Sequence, residues 1–192
     1  ITVGAYWFQN RQWSGTSFGA IFSTMGISAL FMPALMGVVA DRWISAQKLY
    51  GALHLAGAVM LFLVPTVDDP HTMFWVMLAT MIFYMPTISL AIAVAYNAIK
   101  RDGLDVVRDY PPIRVWGTVG FIAALWTTSL LGLEKSPGQF YVAAAGSFLL
   151  GLYGFTLPAA PPRLGRDESR SLVDALGLTS FRLFRNRNMA VF

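Results

Sequence analysis

Arg114, Thr118 and Phe121 are the residues of this sequence best suited to holding a solute. They fall in and around "DYPPIRVWGTVGF", residues 109 to 121, and from Val115 to Leu133 the chain then carries no charge. Pro111 and Pro112 favour a helix start here, because proline is best tolerated in the first turn. Arg114, Thr118, Phe121, Leu125 and Thr128 then recur at intervals of four, three, four and three, which puts them on one helical face. A cation and a hydroxyl can donate hydrogen bonds to a polar solute, and an aromatic ring can lie against a flat one. The adjoining face carries Gly117, Gly120 and Ala124, small residues that let a neighbouring helix approach closely.

Other residues offer less. Tyr84, Thr87 and Asn97 are candidates for the same cavity, although Pro86 between them reads equally as a helix kink. His54 is the one internal group that titrates near neutral pH, and it serves either as a proton carrier or as a hydrogen-bonded helix contact. In "GVVADRW", residues 37 to 43, Gly37 permits close helix contact while Asp41 and Arg42 sit in a tight charged turn. With no cysteine there is no disulfide, thiolate catalysis or Cys-based metal site. No metal or cofactor is expected.

The elements that must position these residues follow from composition. The chain is 56% hydrophobic and 12% charged, with a mean hydropathy of +0.56. That is too little charge to cover a soluble globule of 192 residues. Residues 12–40, 49–67, 70–99, 115–133 and 136–162 lack any Asp, Glu, Lys or Arg. Crossing a hydrocarbon core takes roughly 20 helical residues. The runs predict an all-α integral membrane protein with spans at about 15–40, 46–65, 72–99, 112–133 and 138–158. The opening "ITVGAYWFQ" (about 1–9) is predicted to be the end of a further span whose start is missing, and 188–192 the beginning of a seventh. Residues 159–187 read as a linker, with an amphipathic helix over 171–185 lying on the membrane surface.

Basic residues set the orientation. Arg11 and Lys135 fall on one side. Arg42, Lys48, Lys100, Arg101, Arg108 and the six arginines after residue 162 fall on the other, which marks that side and the 159–187 linker as cytoplasmic. The isoelectric point near 9.6 is therefore a topology signal. A nucleic-acid partner would need a basic soluble module, and none is visible. Arg114 stands at a span boundary. It either faces a cavity, or snorkels to the interface or pairs with Asp109.

Six helices, a basic linker and the start of another helix form the layout of half a secondary transporter, a class often built from inverted three-helix repeats. "GVVADRW" resembles the Gly-x-x-x-Asp-Arg signature of the major facilitator superfamily, with Trp43, Ile44 and Ser45 where that family usually continues with glycine and basic residues. "FMPALMGVVADRW" (31–43), "YMPT" (84–87) and "DYPPIRVWGTVGF" together resemble the nucleoside:proton symporter family of that superfamily, over nearly the whole chain. The resemblance implies the N-terminal six-helix bundle of a bacterial inner-membrane transporter that takes up nucleosides with protons. It implies that Arg114, Thr118 and Phe121 bind substrate and that Gly37, Asp41 and Arg42 latch a gate. A second bundle of the same chain would complete the site. Another solute on the same scaffold, such as a sugar or drug, is the alternative. An integral membrane enzyme is the remote one, for no paired intramembrane carboxylate or supported Ser/His pair is present. No Asp or Glu lies in any complete predicted span, so a coupling acid is expected outside this chain, with His54 the one internal candidate.

Overall fold

Three side-chain caps set where the long helices begin. The backbone N–H of Ser17 donates to Ser14 Oγ at 3.2 Å and starts α2, Gly15–Arg42. The N–H of Thr72 donates to Asp69 Oδ2 at 2.7 Å and starts α4, Pro70–Arg101, with Pro70 in the first turn. Asp105 Oδ1 accepts from Val107 and Arg108 at 2.7 and 3.2 Å and starts α5, Val106–Leu130. Each cap satisfies amide groups that have no partner inside the helix. The computed structural model describes residues 3–162. The predicted linker, its amphipathic helix and the start of a seventh span lie outside them, except for the linker's first residues.

A short helix α1, Val3–Ala5, continues into a wide π turn over Tyr6–Asn10. The remaining helices are α3, Ala46–Leu63, extended by a 3-10 turn at Val64–Thr66, and α6, Gly138–Gly154, preceded by a 3-10 turn at Leu133–Lys135. No strand occurs among the described residues. α2, α4, α3 and α6 pack in that order, each against the next, while α5 leans on the far side of α4. One apolar cluster gathers Tyr6, Trp7, Ile21, Val64, Met73, Met77 and Phe140 at one end of the bundle. Another gathers Ala40, Ala46, Leu49, Leu53, Leu90, Val94 and Ala160 at the other.

The α3–α6 seam depends on missing side chains. A methyl group on Gly51 would stand 2.8 Å from the carbonyl oxygen of Gly151, and one on Gly154 would stand 2.8 Å from the Cα of Gly51. Backbones can meet this closely only at glycine, as close-packed membrane helices require.

α2, α3 with its 3-10 extension, and α4 are long and apolar enough to cross a membrane. α6 stops four residues before the predicted end of its span. The amides of Phe155 and Thr156 turn back to carbonyls three residues earlier, and Leu157 precedes Pro158, where helical backbone is disfavoured. α5 begins six residues before the predicted start, so Pro111 and Pro112 lie inside it and not at its mouth. Asp105 is the stronger start signal because it caps two amides at once, whereas each proline only forfeits one hydrogen bond.

Candidate functional site

The early start of α5 changes where Arg114 sits. It lies eight residues beyond Val106, about 12 Å along the helix axis at 1.5 Å per residue. Its guanidinium lies over Gly117, where an added methyl would stand 3.0 Å from Nη1. Sequence reasoning assigned Gly117 to helix packing. The structure instead makes it the shelf for the cation, on the rim of a groove toward Ile88, Ala91, Ile92 and Ala95 of α4. That groove has a volume near 290 Å³ and also takes Tyr110, Ile113 and Arg114 from α5.

Thr118 and Phe121 stand beside this groove, not in it, and both are exposed, Phe121 by 54%. α5 carries no buried residue at all, and a methyl on Gly120 would meet only open space. The expected close approach of a neighbour at Gly120 is therefore not found among the described residues, because α5 leans on α4 through its earlier turns. Nor does Asp109 hold Arg114. Its carboxylate takes Arg108 Nε at 2.9 Å and the backbone N–H of Asp105 at 3.0 Å.

The three weaker candidates on α4 separate. Thr87 is buried and its hydroxyl donates to the carbonyl of Tyr84 at 2.6 Å, beside Pro86. Tyr84 lines a small cavity of about 220 Å³ between α3, α4 and α6, together with His54, Thr80 and Ser147. Asn97 donates to the carbonyl of Ala93 at 2.9 Å and lines a cleft between α2, α4 and the start of α3. Tyr84 and Thr87, three residues apart, share a face of α4, whereas Asn97, thirteen residues from Tyr84, lies on another.

Gly37 and Asp41 line that same cleft, with Pro33, Tyr96, Lys100 and Ala46, the first residue of α3. Gly37 opens onto it, and a methyl added there would meet nothing within 4 Å, so the close helix contact predicted for it is not found among the described residues. Arg42 ends α2 next to Trp43. His54 Nδ1 lies 3.0 Å from Ser147 Oγ on α6, an arrangement no sequence spacing signalled. Another unsignalled cluster lies at the end of the bundle near α1. Arg11 donates from Nε to Tyr6 Oη at 2.8 Å and from Nη2 to the Pro65 carbonyl at 2.9 Å, and it pairs with Asp68. Outside the membrane-spanning segments, hydrogen bonds from the Thr72 backbone and hydroxyl hold the Asp69 carboxyl below its usual range. Among the described residues no three His, Asp or Glu side chains gather as a metal would need.

A row of long apolar helices with polar side chains in open clefts is the make-up of a transporter bundle of the major facilitator type. The chain belongs to the nucleoside H+ symporter family, whose sequence profile matches residues 1–192. It is 44% identical over 191 residues to the nucleoside permease NupG of Escherichia coli K12, covering all of this chain and 46% of that protein. It is equally 44% identical, over 192 residues, to the xanthosine permease of the same organism, again covering 46% of it. A crystal structure of an aspartate-to-alanine mutant of the nucleoside transporter NupG superposes with a TM-score of 0.91, over 100% of this chain and 47% of that one. The chain thus spans about half the length of the curated relatives it matches.

Proposed function

We propose that this protein takes up nucleosides together with protons, by alternating access across the bacterial inner membrane. The observation that carries the reading is the Arg114, Thr118 and Phe121 stripe, uncovered along α5, with the guanidinium held over Gly117, one turn further into the uncharged run. A cation turned toward the uncharged part of a span is costly unless it faces a polar cavity or a partner. Arg114 and Thr118 then donate to the ribose and base edges, and Phe121 lies against the base. A second helix bundle of the same protein covers this face and shares the site, as midplane sites between repeats require. Gly37, Asp41 and Arg42 latch the cytoplasmic end, on the side where the linker 159–187 also runs.

The relatives named as permeases, and the family's description as H+ symporters, support both the solute and the coupling ion. The proton-carrying acid belongs to the covering bundle, since no Asp or Glu lies within a complete predicted span here. The test is uptake of labelled uridine and adenosine into vesicles carrying the full-length protein, with and without an inward proton gradient. Gradient-driven uptake that collapses in Arg114→Ala at equal protein level is the expected result. Wild-type vesicles that move neither nucleoside overturn the solute, and a mutant that transports normally removes Arg114 from the site.

A further inference from the structure

Resting on the nucleoside reading, we propose that the cleft at the Asp41 end of the bundle is a second, inner nucleoside subsite that receives the solute from the Arg114 groove. The cleft is about 360 Å³, within the range of roughly 300–1,000 Å³ typical of small-molecule sites. Its polar lining is Asp41 from α2 with Ser89, Tyr96, Asn97 and Lys100 from α4. Among the described residues neither the Asp41 carboxylate nor the Lys100 ammonium makes a hydrogen bond or ion pair, although both line this one opening. Opposite charges kept apart along a mainly apolar cleft suit a neutral solute that donates at one end and accepts at the other. Ribose hydroxyls donate to Asp41, a base carbonyl accepts from Lys100, and Tyr96 offers ring surface to the base.

The two openings share a wall. Ile92 lines both the cleft and the Arg114 groove. Tyr96 of the cleft meets Tyr110 of the groove edge to face, with ring centroids 4.8 Å apart at 87°. Ile92 and the Tyr96–Tyr110 pair stand between the two openings, so turning Tyr110 away with the first turns of α5 opens a way from groove to cleft. The inner cleft is thus the station from which the nucleoside leaves.

An azido-uridine photoprobe on the full-length protein, with labelled peptides mapped by mass spectrometry, tests this. Wild type is expected to label at 110–121, which borders the groove, and at 33–46, which lines the cleft and not the groove, both suppressed by unlabelled uridine. Ser89 is exposed and lines the cleft but not the groove, so Ser89→Leu fills the cleft without disturbing the fold. In that variant, labelling of 33–46 falls at least fivefold while 110–121 stays labelled, and maximal uptake drops with KM held. Wild-type label absent from 33–46, or a Ser89→Leu pattern equal to wild type, overturns the inner subsite and leaves the nucleoside reading standing. Label that uridine does not suppress anywhere overturns both.

Discussion

His54 and Ser147 bind each other twice: Ser147 Oγ lies 2.9 Å from the His54 carbonyl oxygen and 3.0 Å from His54 Nδ1. A hydroxyl has a single hydrogen, and the carbonyl can only accept it. His54 Nδ1 must therefore carry the proton given to Ser147 Oγ, which fixes the ring as the Nδ1–H tautomer. The pair clasps α3 to α6 one turn from the glycine seam at Gly51. Ser147→Ala removes both bonds and leaves a buried donor, at a cost of about 1–3 kcal/mol in stability. His54→Gln is expected to lower the melting temperature of the full-length protein in detergent while gradient-driven uptake persists. Uptake that loses its gradient dependence but keeps solute exchange makes His54 the proton carrier instead.

Gly117 separates positioning from stability. Alanine there places a methyl 3.0 Å from Arg114 Nη1, closer than ordinary contact, so the guanidinium must move off its shelf. In an exposed helix interior the same change favours folding by about 0.5–1 kcal/mol. Gly117→Ala should therefore raise KM for uridine severalfold with thermal stability equal or improved. Unchanged KM removes the shelf role.

Arg11 and Asp68 form an ion pair whose two ends are unequal. The Arg11 side chain is 19% exposed and also holds Tyr6 and the Pro65 carbonyl, whereas Asp68 is 84% exposed. Hydrogen bonds from a charged, half-buried group contribute about 1.5–3 kcal/mol each at most, while an exposed pair contributes about 0–1 kcal/mol. Arg11→Met is expected to destabilise clearly and Asp68→Asn hardly at all, by thermal unfolding. Equal losses in the two variants contradict this division.

Acid acts on the cap of α4. The Thr72 amide, then its hydroxyl, hold the Asp69 carboxyl below its ordinary value of 3.8, so folding favours the ionised form. The contribution is complete above pH 3.8 and is lost as pH falls through the lowered value. Hydrogen exchange at the Thr72 amide should accelerate there relative to the Ser17 amide, whose cap Ser14 does not titrate in that range. Asp69→Asn keeps an acceptor without the titration, and its exchange should show no such step.

Much of the architecture is legible in the chain because transfer from water to hydrocarbon adds up residue by residue. The uncharged run 70–99 lies within α4, and 12–40 overlaps nearly all of α2. The spacing of Arg114, Thr118 and Phe121 likewise shows that they share a face, since helical periodicity is local. Helix starts are less legible where two local signals compete, as Asp105 and the Pro111–Pro112 pair do in α5.

The sequence by itself determined which segments are apolar helices, which face of α5 carries the cation, hydroxyl and ring, and which family the motifs resemble. Tertiary structure alone decided that Tyr84 joins His54 and that Asn97 joins Asp41. His54 reaches Ser147 across 93 residues, and Arg11 reaches Asp68 across 57. Such pairings depend on how closely two helices can approach, which is set by the glycines of the α3–α6 seam and by caps that fix each helix's first residue. Burial energy sums along the chain, but contact geometry does not, and the site is made of contacts.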